Sequence, residues 1–180
     1  IAGAQQVIPM VVGRVDLNLG ATDDPFRDAH FGTDKAWYSI GLNGSFQDGI
    51  ENAAGAREGR TAAAGVDGMV DVPAGPSRVH LRGEFNNVQV KDPAGGNTVD
   101  TRIWMAGAGL LILQQRLQPI VRLDQVLLDD AAGGGSRNLT YAGVNYFQDK
   151  HRLKVVADVR FESGTDYAVD GGRLQAQLDF

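Results

Sequence analysis

The 180-residue chain predicts an all-β protein of long antiparallel strands, each with one oily and one wet side. Three observations predict it. Apolar and polar residues alternate with a period of two over long runs. Clusters of Gly, Pro, Asp and Ser punctuate those runs. No apolar run approaches the roughly 18 residues that a membrane helix requires. Nine strands follow, at 5–18, 35–47, 60–72, 77–90, 99–114, 117–128, 137–148, 151–163 and 172–180. Most exceed the usual globular strand of about 5–6 residues and match the roughly 9–11 tilted residues that cross a bilayer in a β-barrel.

In order, the first strand sets Val7, Val11, Val15 and Leu17 against Arg14 and Asp16; Pro9, which lacks a ladder donor, makes it the least regular. Tyr38, Ile40, Leu42 and Phe46 form the apolar side of the second. The third sets Ala62, Ala64, Val66 and Val70 against Asp67 and Asp71, and the fourth Val79, Leu81 and Phe85 against Arg78, His80, Arg82 and Glu84. Trp104, Ala106, Ala108, Leu110 and Ile112 mark the fifth. The sixth places Leu117, Val121 and Leu123 opposite Arg122 and Asp124, and the seventh carries Ala142, Val144 and Tyr146. The eighth alternates Leu153, Val155, Ala157, Val159 and Phe161 with Lys154, Asp158 and Arg160. The last, RLQAQLDF, alternates Arg173 and Asp179 with Leu174, Ala176, Leu178 and Phe180.

Between the first and last apolar residues named for each strand, that parity carries no charge, although 22% of residues are charged. A lipid-facing band explains this, since a charge at the bilayer midplane costs about 2–4 kcal/mol. A soluble β-sandwich acting as a binding module predicts instead that the uncharged faces meet in a core. If the last strand descends to a periplasmic C-terminus, the outward aromatics sort by height. Tyr38, Tyr146 and Phe180 fall at a lower rim, and Phe46, Phe85, Trp104 and Phe161 at an upper one, as two aromatic girdles. Short connections then lie below and longer ones above, except the long segment 21–35, which falls below.

The chain has no cysteine, which excludes disulfides and thiolate chemistry. A net charge of −5 with scattered cations excludes nucleic acid as a partner. His30, His80 and His151 lie far apart and no hydrolase or phosphate-loop motif is present, so an enzyme, such as a barrel-embedded hydrolase using His80 and Ser39, is not the expected reading. No cofactor or metal is expected.

LQPIVRLDQVLL at 117–128, followed by a Gly-rich loop, NLTYAGVNYFQDKHRLKVVADVRF and RLQAQLDF, resembles the C-terminal half of the phosphate-selective porin O and P family. Thr140, Gly143, Asn145, Tyr146, His151 and Lys154 occupy matching places, and GRVDLNLG and YSIGLNGSFQDG match more loosely. The resemblance implies a bacterial outer-membrane barrel of about sixteen strands, a water-filled channel for small hydrophilic solutes, anions and phosphate above all, and a homotrimer. Ala62, Ala64, Gly68, Ala106, Gly107 and Ala108 would form small-residue outer surface for the subunit contact. Nine strands are odd, and single-chain bacterial barrels have an even number. The chain is therefore expected to be one unit incomplete at its N-terminus, or alternatively a small closed barrel of about eight strands serving as an anchor or adhesin. The expected pore-lining residues are Arg14, Asp16, Asp67, Arg78, His80, Arg82, Glu84, Arg122, Asp124, Lys154, Asp158 and Arg160. Their charges nearly cancel. Arg78, His80 and Arg82 are expected to pair with Glu84 and Asp67, Arg122 with Asp124, and Arg160 with Asp158.

Overall fold

The computed structural model describes residues 9–20, 34–50, 59–92, 97–129, 134–148, 153–164 and 171–178. Among them are nine strands: β1 (Val11–Gly20), β2 (Trp37–Ile50), β3 (Gly59–Ala74), β4 (Ser77–Lys91), β5 (Thr98–Leu111), β6 (Leu117–Leu128), β7 (Gly135–Phe147), β8 (Leu153–Gly164) and β9 (Gly171–Leu178). They form one antiparallel sheet in sequence order, β1 to β9. Among the described residues β1 and β9 are not paired with each other.

The ends of several strands differ from the expected ones. The first strand begins at Val11, after Pro9 and Met10, and runs on to Gly20. β3 continues through Pro73 to Ala74, leaving Gly75 and Pro76 as a two-residue turn. β5 stops at Leu111: Ile112 makes one isolated bridge to Leu117, and Leu113, Gln114 and Gln115 all take left-handed φ of 50°, 57° and 65°. The Ile112 amide donates to the Leu117 carbonyl at 2.7 Å and closes this turn. Phe180, Asp179, Val7, His30, His151 and the long segment 21–33 lie outside the described residues.

Strand ends are staggered. The hydrogen-bonded row through Trp37, the first residue of β2, passes Asp71, His80, Gly109, Ile120 and Gly143 and reaches Asp158, five residues inside β8. The row through Gly164, the last residue of β8, runs back to Asn43 in mid-β2. Over six strand-to-strand steps the ends thus slip by about one residue per step. At ~3.4 Å rise and ~4.8 Å spacing, the strands tilt by about 35° from the perpendicular to the line of their ends.

Every apolar residue assigned to the oily parity within β1 to β8 shares one face, and the charged set of those strands shares the other. Among the described residues, no second layer lies against the apolar face. Val15 is 73% exposed and Leu42 61%, and Leu17, Ile40, Leu81, Val121 and Leu123 are exposed as well. The polar face is the crowded, concave one. A Cβ at Gly65 would land on the side-chain oxygen of Asn86 and lie 2.9 Å from that of Asn43, whereas one at Gly13, on the apolar face, would meet nothing within 4 Å.

The outward aromatics follow the stagger. Phe46 lies four rows above the directly opposed pair Phe85 and Trp104, and Phe161 two rows below it; Tyr38 and Tyr146 are likewise four rows apart. Each set runs parallel to the strand ends. Tyr38 and Phe46 are eight residues apart on β2, about 27 Å along the strand and, at that tilt, about 22 Å across the sheet. Trp104 Nε1 donates to Gln125 Oε1 at 2.7 Å, and Gln125 Nε2 to Asn138 Oδ1 at 2.6 Å, so a polar chain on the outward face continues the upper line across β6 and β7.

Candidate functional site: a charged ladder on the concave face

Two adjacent rows organise the charges. One runs Asp16, Gly41, Asp67, Glu84, Met105, Asp124, Leu139, Glu162, and supplies five carboxylates. The next concave-face row runs Met69, Arg82, Gly107, Arg122, Tyr141, Arg160 and supplies three guanidinium groups. Arg14 and Arg137 lie on the far side of the acidic row. The period of two produces this directly, because Arg-x-Asp or Arg-x-Glu along a strand projects both charges onto one face. The tripeptides are Arg14-Val15-Asp16, Arg82-Gly83-Glu84, Arg122-Leu123-Asp124 and Arg160-Phe161-Glu162.

Within the ladder, Arg122 binds Asp124 with two bonds of 2.7 and 2.6 Å, and its guanidinium stacks 5.2 Å from the Tyr141 ring centre. Arg82 reaches Glu84 at 3.7 Å. Arg137 donates to Glu162, which Arg160 approaches at 3.9 Å. Arg14 spans β2: it binds Asp16 at 3.0 Å and, two strands away, Asp67 with bonds of 2.7 and 3.0 Å. It can do so because residue 41, between them, is glycine, and a Cβ there would fall on the Arg14 guanidinium and 2.6 Å from Asp16 Oδ1. Gly41→Val is therefore expected to lower stability by about 1–2 kcal/mol, although valine suits strands better than glycine. Urea titration of the refolded protein measures this, and adding Arg14→Gln should then cost little more.

Several expected pairings are corrected. Asp67 pairs with Arg14, and Asp71 rather than Glu84 holds Arg78. Arg160 approaches Glu162, since Asp158 lies below it on the same strand. Gly107 faces the concave side between Arg82 and Arg122, so it is no part of an outer small-residue surface. Arg137 and Glu162, at the ends of the expected strands and not among the expected pore-lining residues, join the ladder; their parity with Tyr141 and Arg160 was the available signal.

The concave face changes character along its length. Towards the end that carries the Gly75–Pro76 turn, Arg78 and Asp71 are each 1% exposed, and Trp37, Leu111, Gln118, Asn145, Phe147 and Asp158 are also buried. Arg78 Nε donates to Asp71 Oδ1 at 2.6 Å and Arg78 Nη2 to the Lys35 carbonyl at 3.0 Å. His80 Nδ1 lies 3.4 Å from Asp71 Oδ2. Lys154 sits 5.8 Å from the Phe147 ring centre. Further up, the arginines are open while their partners lie beneath them: Arg122 is 50% exposed against 11% for Asp124, and Arg137 49% against 2% for Glu162.

Among the described residues, no group of three or more His, Asp or Glu side chains is placed to hold a metal ion, and no helix is long and apolar enough to cross a membrane. A shallow recess of about 230 Å³, lined by Asp100, Arg102, Leu127, Leu128 and Asp129, lies at the opposite rim, away from the ladder. No family model matches the chain, and no curated protein or solved structure matches it.

Proposed function

We propose that this chain forms the wall of an outer-membrane β-barrel porin through which small hydrophilic solutes, anions preferentially, diffuse. One observation carries the reading: apart from five at one rim, the charged residues of β1 to β8 gather on a crowded concave face, while the opposite face presents an exposed, uncharged apolar band about 22 Å high between aromatic lines. That height is close to the roughly 25 Å band of outer-membrane barrels, and the tilt falls in their range of about 35–45°. A soluble sandwich would cover such a face, because exposed apolar patches of this extent are unstable in water. Within a bilayer no strand edge stays unpaired, so the reading requires that β1 and β9 each find a partner strand.

Anion preference follows from which half of each ion pair faces water. The formal charges nearly cancel, yet a solute on this face meets guanidinium groups first, with the carboxylates tucked beneath. Phosphate as the preferred anion, and a trimer of such barrels, remain part of the proposal through the family resemblance alone. A second reading, a narrow barrel acting as an anchor, draws on the buried end around Asp71 and Arg78, because interiors of about eight strands are filled by side chains.

Planar-bilayer recording separates the two. The porin reading expects stable conductance steps and a reversal potential in a KCl gradient that reports chloride over potassium. Replacing Arg82, Arg122 and Arg160 together by Gln should move that potential towards cation preference. Inserted protein without conductance would overturn the porin reading in favour of the anchor.

A further inference from the structure

We propose that the outward rim of β3–β5 docks the phosphate groups of a membrane lipid; the inference rests on the porin reading. Five residues on the outward face of the described strands are charged: Asp48, Arg60, Lys91, Asp100 and Arg102. All five lie at the end away from the Gly75–Pro76 turn, beyond Phe46, Phe85 and Trp104. In the proposed barrel this is headgroup height, where a cation meets lipid phosphate rather than acyl chain.

Two features set these cations apart from those of the ladder. Arg60 and Lys91 stand directly opposite each other across β3 and β4. Like charges so placed destabilise a sheet unless an anion lies between them. Furthermore, among the described residues no carboxylate forms an ion pair with Arg60, Lys91 or Arg102, whereas the arginines of the concave ladder all have one. Asp48 is the strand neighbour of Arg60 on its other side, but its Oδ1 accepts the Gly49 amide at 2.9 Å.

A lipid suits this rim better than free phosphate. Asp48 and Asp100 on the same face leave little net positive charge to hold a small anion from solution. A lipid adds its acyl chains, and exposed apolar surface around Phe85, Leu81 and Trp104 begins immediately below the cations. Arg102 lies four residues along β5 from Thr98, the partner of Lys91, about 13 Å away. The three cations therefore span a headgroup bearing two phosphates.

The test uses the full chain in a neutral detergent micelle, with native mass spectrometry reading the binding of a bis-phosphorylated glycolipid and its dephosphorylated counterpart. The phosphorylated form should bind about tenfold or more tightly, and Arg60→Gln/Lys91→Gln/Arg102→Gln should erase that preference while leaving the dephosphorylated lipid's binding unchanged. Inorganic phosphate at equal concentration should not compete. An unchanged preference in the triple variant, or full competition by inorganic phosphate, overturns the proposal. Failure of the unmodified chain to insert into phosphatidylcholine vesicles would overturn the porin reading itself, so the two failures are distinguishable.

Discussion

Leu42→Arg is expected to cost about 2–4 kcal/mol of folded stability in a phosphatidylcholine bilayer. Leu42 lies midway between Tyr38 and Phe46 on β2, at the centre of the uncharged band, and is 61% exposed. Lipid tails offer a guanidinium no hydration. Ser45→Arg, on the same strand but pointing to the concave side between Val12 and Ala63, is expected to cost under about 1 kcal/mol, because water reaches that face. Urea-dependent refolding into vesicles, followed by heat-modifiable mobility, measures both. If Leu42→Arg proves neutral or makes the chain more soluble, the apolar face meets water and the porin reading fails.

Arg78→Ala is expected to cost about 3–5 kcal/mol, the largest effect of any single change on the concave face. Removing the guanidinium takes a 2.6 Å partner from the Asp71 carboxylate in a site almost closed to solvent, and a 3.0 Å donor from the Lys35 carbonyl. His80, 3.4 Å from the other Asp71 oxygen, is too distant to compensate fully. The double change Asp71→Leu/Arg78→Met should recover much of the loss, since a buried ion pair is often replaceable by apolar groups of similar volume. The same refolding titration reads both. A cost below about 1 kcal/mol for Arg78→Ala would show that water reaches this end of the face.

The period of two made the sidedness of the described strands legible, because successive side chains alternate whatever a strand's partner is. Arg14, Arg82, Arg122 and Arg160 were therefore placeable on one face from local sequence. Their partners were not. Which carboxylate meets Arg14 depends on the register of three strands and on the open space over Gly41, and neither is written in the residues flanking Arg14. Strand ends were harder for a related reason. Turn-forming residues near 73 suggested a loop, but continued pairing carries Pro73 into β3. The Leu113–Gln115 turn lacks the glycine or asparagine that usually announces positive φ, so its length could not be read. Burial around Asp71 and Arg78 was invisible as well, since it arises from curvature that brings Trp37, Leu111 and the Lys35 carbonyl to one end of the face.

The order β1 to β9 has one more consequence. Among the described residues, each strand from β2 to β8 is stitched only to its predecessor and successor in the sequence, so none of these hairpins needs a distant segment before it can zip up. Such wiring keeps the entropic cost of closure small at every stage and lets the sheet grow like a row of tiles, one hairpin templating the next.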